Sequence, residues 1–180
     1  LDPQDSSTHC RKGDNPRRIR FPKCIELRAL GERYVVSQRL DGGSKVIERK
    51  SEIMVPRSSL WPSGLHQWLI AKGKRELSPW LEKAARQTGH TFTRVRIRRQ
   101  KTRWGSCSNK GTISLNCKLL FLPADLVRMV LVHELCHTVV PDHSSRFWAR
   151  LETFFPGAKR MDKLLSGAWR YVPLWADEHV

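Results

Sequence analysis

The chain has 180 residues, 39% of them hydrophobic, which suffices for one substantial core and a small appended unit. Lysine and arginine number 33 against 17 acidic residues, a formal charge of +16, so nucleic acid or acidic proteins are the expected partners. No window approaches the roughly 18 uninterrupted apolar residues of a membrane span. Five cysteines without C-x-x-C spacing exclude a disulfide scaffold and fit a soluble protein of the reducing cytoplasm.

Residues 1 to 23 mix proline, serine, glycine and charge without an apolar period and read as a flexible basic tail. From 24 to 57 the short runs IELRAL, RYVVSQRL, KVIERK and EIMVP predict a small antiparallel β-subdomain, with Asp41-Gly42-Gly43 as a hairpin turn. The remaining residues, 58 to 180, form the expected main domain. There Ser63 or Ser59 caps a helix through GLHQWLIAKGKREL, and Ser78-Pro79 starts a second helix that stops at Gly89. FTRVRIRRQ and GTISLNCKLLFLP read as two strands around a glycine turn at Trp104-Gly105-Ser106. Pro123 opens a helix reaching about Val139, and Ser144 caps another that runs through Phe155. The order of elements is that of an α+β protein.

The positive charge is uneven. No acidic residue lies between Glu82 and Asp125, and the gap holds Lys83, Arg86, Arg94, Arg96, Arg98, Arg99, Lys101, Arg103, Lys110 and Lys118. Arg94, Arg96, Arg98, Arg99 and Lys101 are the candidate nucleic-acid contacts of this 83–118 stretch. The competing reading is a plain solvated strand face, because Phe92 and Trp104 are the only aromatics nearby.

The segment VLVHELCHTVVPDHSSRFW, residues 130 to 148, carries the clearest chemistry. Four residues apart on a helix, His133 and His137 project from one face and can reach one metal ion. Glu134 stands about 100° round the axis, outside ligation but placed to act as a general base on a water. Catalytic zinc takes three protein ligands and keeps its fourth position open. His143 is the candidate third ligand, since Val140-Pro141-Asp142 breaks the helix and lets the chain fold back; Asp142 and Glu152 are reserves. His9, His66, His90 and His179 lack such a context and read as surface or capping residues. Cys136 points the wrong way to close the site and reads as ordinary packing. Imidazole ligands favour Zn2+, although iron, nickel and copper accept them too.

Three stretches, KTRWGSCSNKGTISLN, LLFLP and VLVHELCHTVVPDHSSRFW, resemble the YgjP-like metallopeptidase family, relatives of the SprT-like and Spartan proteases within the zincin group. The resemblance covers about residues 24 to 175 and is densest from Gln100 to Trp148. It implies a zincin-like domain in which His133, His137 and His143 bind zinc and Glu134 is the catalytic base. The histidine spacing also equals the metzincin pattern, but Val140 stands where that group has glycine. The expected reaction is peptide hydrolysis on protein or peptide substrates. A strand around TISLN would dock the peptide by strand addition, and Asn116 or Arg103 would donate to the oxyanion. Two rivals stand beside this reading: a nucleic-acid-binding module braced by a structural zinc, and a hydrolase of a non-peptide amide. Sequence leaves the oligomeric state open.

Overall fold

The computed structural model describes residues 19–41, 43–58 and 60–177. Most of the tail expected at 1 to 23, together with His9, Cys10, Gly42, Ser59 and His179, lies outside the described residues.

The first four strands form one sheet. β1 (Cys24–Leu27), β2 (Glu32–Arg39), β3 (Ile47–Arg49) and β4 (Glu52–Pro56) lie in the order β1-β2-β4-β3. Period-2 alternation turns Ile25, Leu27, Tyr34, Val36, Ile53 and Val55 inward. The sheet is mixed, not antiparallel as expected: β2 runs parallel to β4, and only the β1–β2 and β3–β4 pairs are antiparallel. The reason is burial. β4 carries two fully buried residues, Ile53 and Val55, and takes an interior position, which leaves the three-residue β3 at the edge. The expected hairpin across Asp41-Gly43 is therefore absent, because β4 separates β2 from β3. The tight turn falls instead between β3 and β4, where Lys50 adopts φ 47°.

α1 (Trp61–Thr88) is one 28-residue helix where two were expected. Pro79 lies inside it and forfeits one helical hydrogen bond to the carbonyl of Arg75. Both residues are exposed, so water satisfies that carbonyl. The buried face of Leu65, Trp68, Leu69, Leu77 and Leu81 runs unbroken past the proline and holds the helix together. Neither expected serine is the cap: Leu60 holds the N-cap position and its N–H donates to the Ser58 hydroxyl at 3.0 Å. Gly89 ends the helix in the left-handed conformation, φ 68°.

The second sheet holds β5 (Arg94–Arg98), β6 (Gly105–Cys107) and β7 (Thr112–Asn116) in the order β5-β7-β6. β5 pairs with β7 in parallel and β6 with β7 antiparallel. The segment expected to be a glycine turn thus enters a strand, and the turn lies later, where Gly111 N–H reaches Ser108 O at 2.9 Å. After β7 the expected strand breaks off into a 3-10 turn at Cys117–Phe121. Leu119, Leu120, Phe121 and Leu122 are buried there. Pro123 then caps α2 (Ala124–Cys136). α3 (Ser145–Phe154), α4 (Ala158–Ser166), a 3-10 turn at Ala168–Tyr171 and α5 (Leu174–Asp177) complete the chain. The architecture is α+β, as expected, with one core running from Ile25 to Trp175. Among the described residues no helix is long and apolar enough to cross a membrane.

Candidate metal centre

α2 is buried on nearly every side, through Leu126, Val127, Met129, Val130, Leu131, Val132 and Leu135. It therefore enters the core as a rod and ends there at Cys136, three residues before the expected Val139. His133 lies in its last turn and His137 at its C-cap. The chain then turns through Val140, whose N–H bonds Cys136 O at 2.9 Å, and brings His143 back over the helix end.

The three imidazoles converge. Nε2 of His133 lies 3.1 Å from that of His137 and 3.0 Å from that of His143, and the last two are 3.1 Å apart. Ligands about 2.0 Å from one tetrahedral ion stand about 3.3 Å apart, close to this triangle. Phe147 is its floor: fully buried in α3, its ring lies 4.9, 4.5 and 4.8 Å from those of His133, His137 and His143.

Protonation explains what the triangle is for. His137 Nδ1 lies 3.0 Å from Val140 O; a carbonyl only accepts, so this nitrogen carries the proton and Nε2 keeps its lone pair. Burial, helped by the neighbouring His137 and His143, pushes His133 down to about 3, and burial likewise lowers His137. Three ring nitrogens cannot satisfy one another with protons in this arrangement, and a cation accepting their lone pairs fits the donor set.

Glu134 points elsewhere, into the space beside β6. It is buried, its Oε2 has no hydrogen-bond partner among the described residues, and burial pushes its carboxyl up to about 8 while the Arg103 charge pulls it down. An unpartnered buried carboxylate oxygen is costly and suits a proton acceptor awaiting its donor. Gly105 makes room for it: a Cβ at Gly105 would stand 2.5 Å from Glu134 Oε1 and 2.7 Å from its Cγ.

The other expected residues fall into place unequally. Asn116 is fully buried, and its amide donates to Gln100 O at 3.0 Å and Arg103 O at 2.8 Å while its Oδ1 accepts from Lys118 N at 3.1 Å. Both donors are committed, so the oxyanion contact expected of Asn116 is withdrawn; it positions the loop before β6 instead. Arg103 is exposed and lines the same cleft as His133 and Glu134. TISLN cannot dock a peptide along an open edge, because β7 is the central strand; β6 is the edge strand on that side. Asp142 accepts from Ser144 N at 3.1 Å and Glu152 from Gly157 N at 2.8 Å, and neither joins the histidines. Cys136 is buried outside the group, with its thiol pushed up to about 11 by burial.

His66 and His90 prove to be buried, not superficial. Arg94, Arg96 and Arg98 line the outer face of β5, exposed at alternate positions, with Lys101 exposed beyond them. Arg99 is half-buried against His66. Lys118 drops out of the basic surface altogether: it is fully buried and pairs with Asp177 at 2.5 Å. Sequence reading missed Gly105, Asp162 and Trp169 as cleft residues; the string RWGSC was the one signal available, and it was assigned to a turn.

The family model of the YgjP-like metallopeptidase domain matches residues 8–168. Among solved structures, the metallopeptidase zymogen abylysin of Pyrococcus abyssi is 35% identical with a TM-score of 0.44, over 50% of this chain and 92% of that one. The metallopeptidase zymogen jannalysin of Methanocaldococcus jannaschii is 16% identical with a TM-score of 0.45, over 51% of this chain and 95% of that one. No curated protein matches the chain.

Proposed function

The chain belongs to the YgjP-like metallopeptidase domain family, and from that premise we propose that it is a zinc peptidase in which His133, His137 and His143 hold the ion and Glu134 moves the proton. One observation carries the reading: three Nε2 atoms within 3.1 Å of one another, beside a buried carboxylate whose Oε2 has no partner among the described residues. When bound, zinc supplies Lewis acidity to a carbonyl and acidity to water. Glu134 takes the proton from the attacking water on Oε2 and delivers it to the leaving amine. Gly105 keeps the space in which that carboxylate swings, and Arg103 offers its guanidinium to the developing oxyanion. The edge strand β6 receives the substrate as an added strand, which aligns the scissile bond beside Glu134. All three ligands are imidazoles and among the described residues no thiolate joins them, the donor set of a catalytic rather than a structural zinc.

Glu134→Gln tests the assignment. Metal analysis should find the ion retained, while turnover of an unfolded protein substrate falls at least 100-fold. Unchanged turnover with the ion retained would assign Glu134 to structure. A non-peptide amide would need the same proton transfer, and proteolysis by the unmodified protein separates that case.

A second reading concerns where the enzyme works. The exposed row Arg94, Arg96 and Arg98, extended by Lys101, supports docking on nucleic acid while bound protein is cut. Each phosphate contact adds about 0.9 to the slope of log affinity against log salt on duplex DNA, so neutralising all four cations should flatten that slope by about 3 to 4. An unchanged slope would remove this role.

A further inference from the structure

A cleft of about 350 Å³ opens from His133 and Glu134 between the start of β6 and the helix α4. Trp104, stacked on Trp169 with ring centroids 4.2 Å apart, lines it together with Val130 and Leu165, while Thr102, Arg103 and Ser166 add polar groups. The Trp104 ring is anchored, its Nε1 donating to Leu165 O at 3.3 Å. One acid stands in this wall. Asp162 of α4 is half-buried, and no ion pair or side-chain hydrogen bond joins it to any other described residue.

Among the described residues Glu82 likewise has no ion pair or side-chain hydrogen bond, but of these two acids it is Asp162 that lines the cleft. Glu48 meets Lys72 and Arg75, Asp177 meets Lys118, and Asp125 meets Arg128. Asp162 has Lys159 and Lys163 on its own helix and pairs with neither. The cleft's charged groups are two carboxylates, Glu134 and Asp162, and one cation, Arg103. With Glu134 occupied by chemistry, a carboxylate at the end of an aromatic trough is left over. A long aliphatic stem with a cationic tip matches it: the stem lies along the cleft side of Trp104 and Leu165 and the tip meets the carboxylate.

We infer that this cleft is a specificity subsite for a lysine or arginine side chain of the substrate, with Asp162 as its recognition residue. The inference rests on the peptidase reading above and names the substrate class of that same site.

The test is equilibrium binding to the full-length Glu134→Gln protein, followed through tryptophan fluorescence and calorimetry. The probes are blocked alanine pentapeptides whose central residue is lysine, arginine, norleucine or glutamate. The basic peptides should bind about tenfold more tightly than the norleucine peptide. Asp162→Asn should abolish that difference, and Asp162→Lys should turn the preference toward glutamate, with circular dichroism confirming that both variants fold. Equal affinities, no binding, or discrimination that survives Asp162→Asn would each overturn the subsite; pairing of Asp162 with Arg103 in solution would show itself as the first. In parallel, the zinc-loaded unmodified protein is offered the same peptides. Selective binding without cleavage sinks the peptidase reading and leaves the subsite standing, whereas cleavage without selectivity does the reverse.

Discussion

Gly105 and Glu134 occupy one another's space: the first has no side chain where the second keeps its carboxylate. Gly105→Ala should therefore push the base off its line by roughly an ångström, and misplacement on that scale costs on the order of 100-fold in turnover. Metal content should stay unchanged, because the atoms a Cβ at Gly105 meets first all belong to Glu134 and not to the imidazoles; loss of the ion in this variant would show that Gly105 serves the histidines instead. The pairing of His133 with His137 was legible from spacing, since one helical turn fixes them to each other, and the short break after the helix offered His143 as a candidate beside Asp142 and Glu152. Gly105, Asp162 and Trp169 were not legible, because they come from other elements and meet the base only through packing. Asn116 failed as a donor for the same reason: its amide was spent on the backbone of a loop that no local pattern connects to it.

Among elements, the largest departure was α1, where Ser78-Pro79 suggested a break. A proline punctuates a helix when the freed carbonyl is buried, and here it faces solvent while the apolar stripe continues beneath. Strand order was also beyond reach of local pattern. β6 is three residues long, yet it and not β7 takes the edge of the sheet. The short α5 packs through Trp175 and Ala176, and among the described residues one ion pair joins it: Lys118 is fully buried, its Nζ lies 5.0 Å from the Trp169 ring, and Asp177 is its carboxylate partner. Removing the acid strands a buried cation, whereas removing the cation leaves Asp177 half in water. Asp177→Ala should thus cost about 3 kcal/mol and Lys118→Met distinctly less, as urea unfolding of the two variants would register. Equal costs would mean that Lys118 finds solvent when α5 is lost.

At the scale of the whole molecule, an ion cluster joins the first sheet to α1. Lys72, buried, meets Glu32 at 2.7 Å, Glu48 at 3.0 Å and the Tyr34 hydroxyl at 2.8 Å, and Trp68 Nε1 donates to Glu48 at 2.9 Å. Burial alone would raise the Glu48 carboxyl, but hydrogen bonds from Trp68, Lys72, Arg75 and Tyr34 outweigh it and hold the group at about 2. A depressed folded-state value means that the contribution is complete above the unfolded value near 4.5 and disappears as pH falls from there toward 2. Stability should drop by a few kcal/mol across that window, and Glu48→Gln, less stable at neutral pH, should show a flatter profile. Parallel acid profiles for the two proteins would place the linkage elsewhere. Sequence by itself determined the α+β class, the basic balance, the metal-ligating spacing and the family resemblance, all of which follow from composition or from neighbours along one helix. Only the tertiary structure decided which strand has a free edge, which glycine leaves room for Glu134, which acids line the cleft and which lysine leaves the surface. Those outcomes depend on how every apolar face competes for the same core, and no local stretch of chain carries that information.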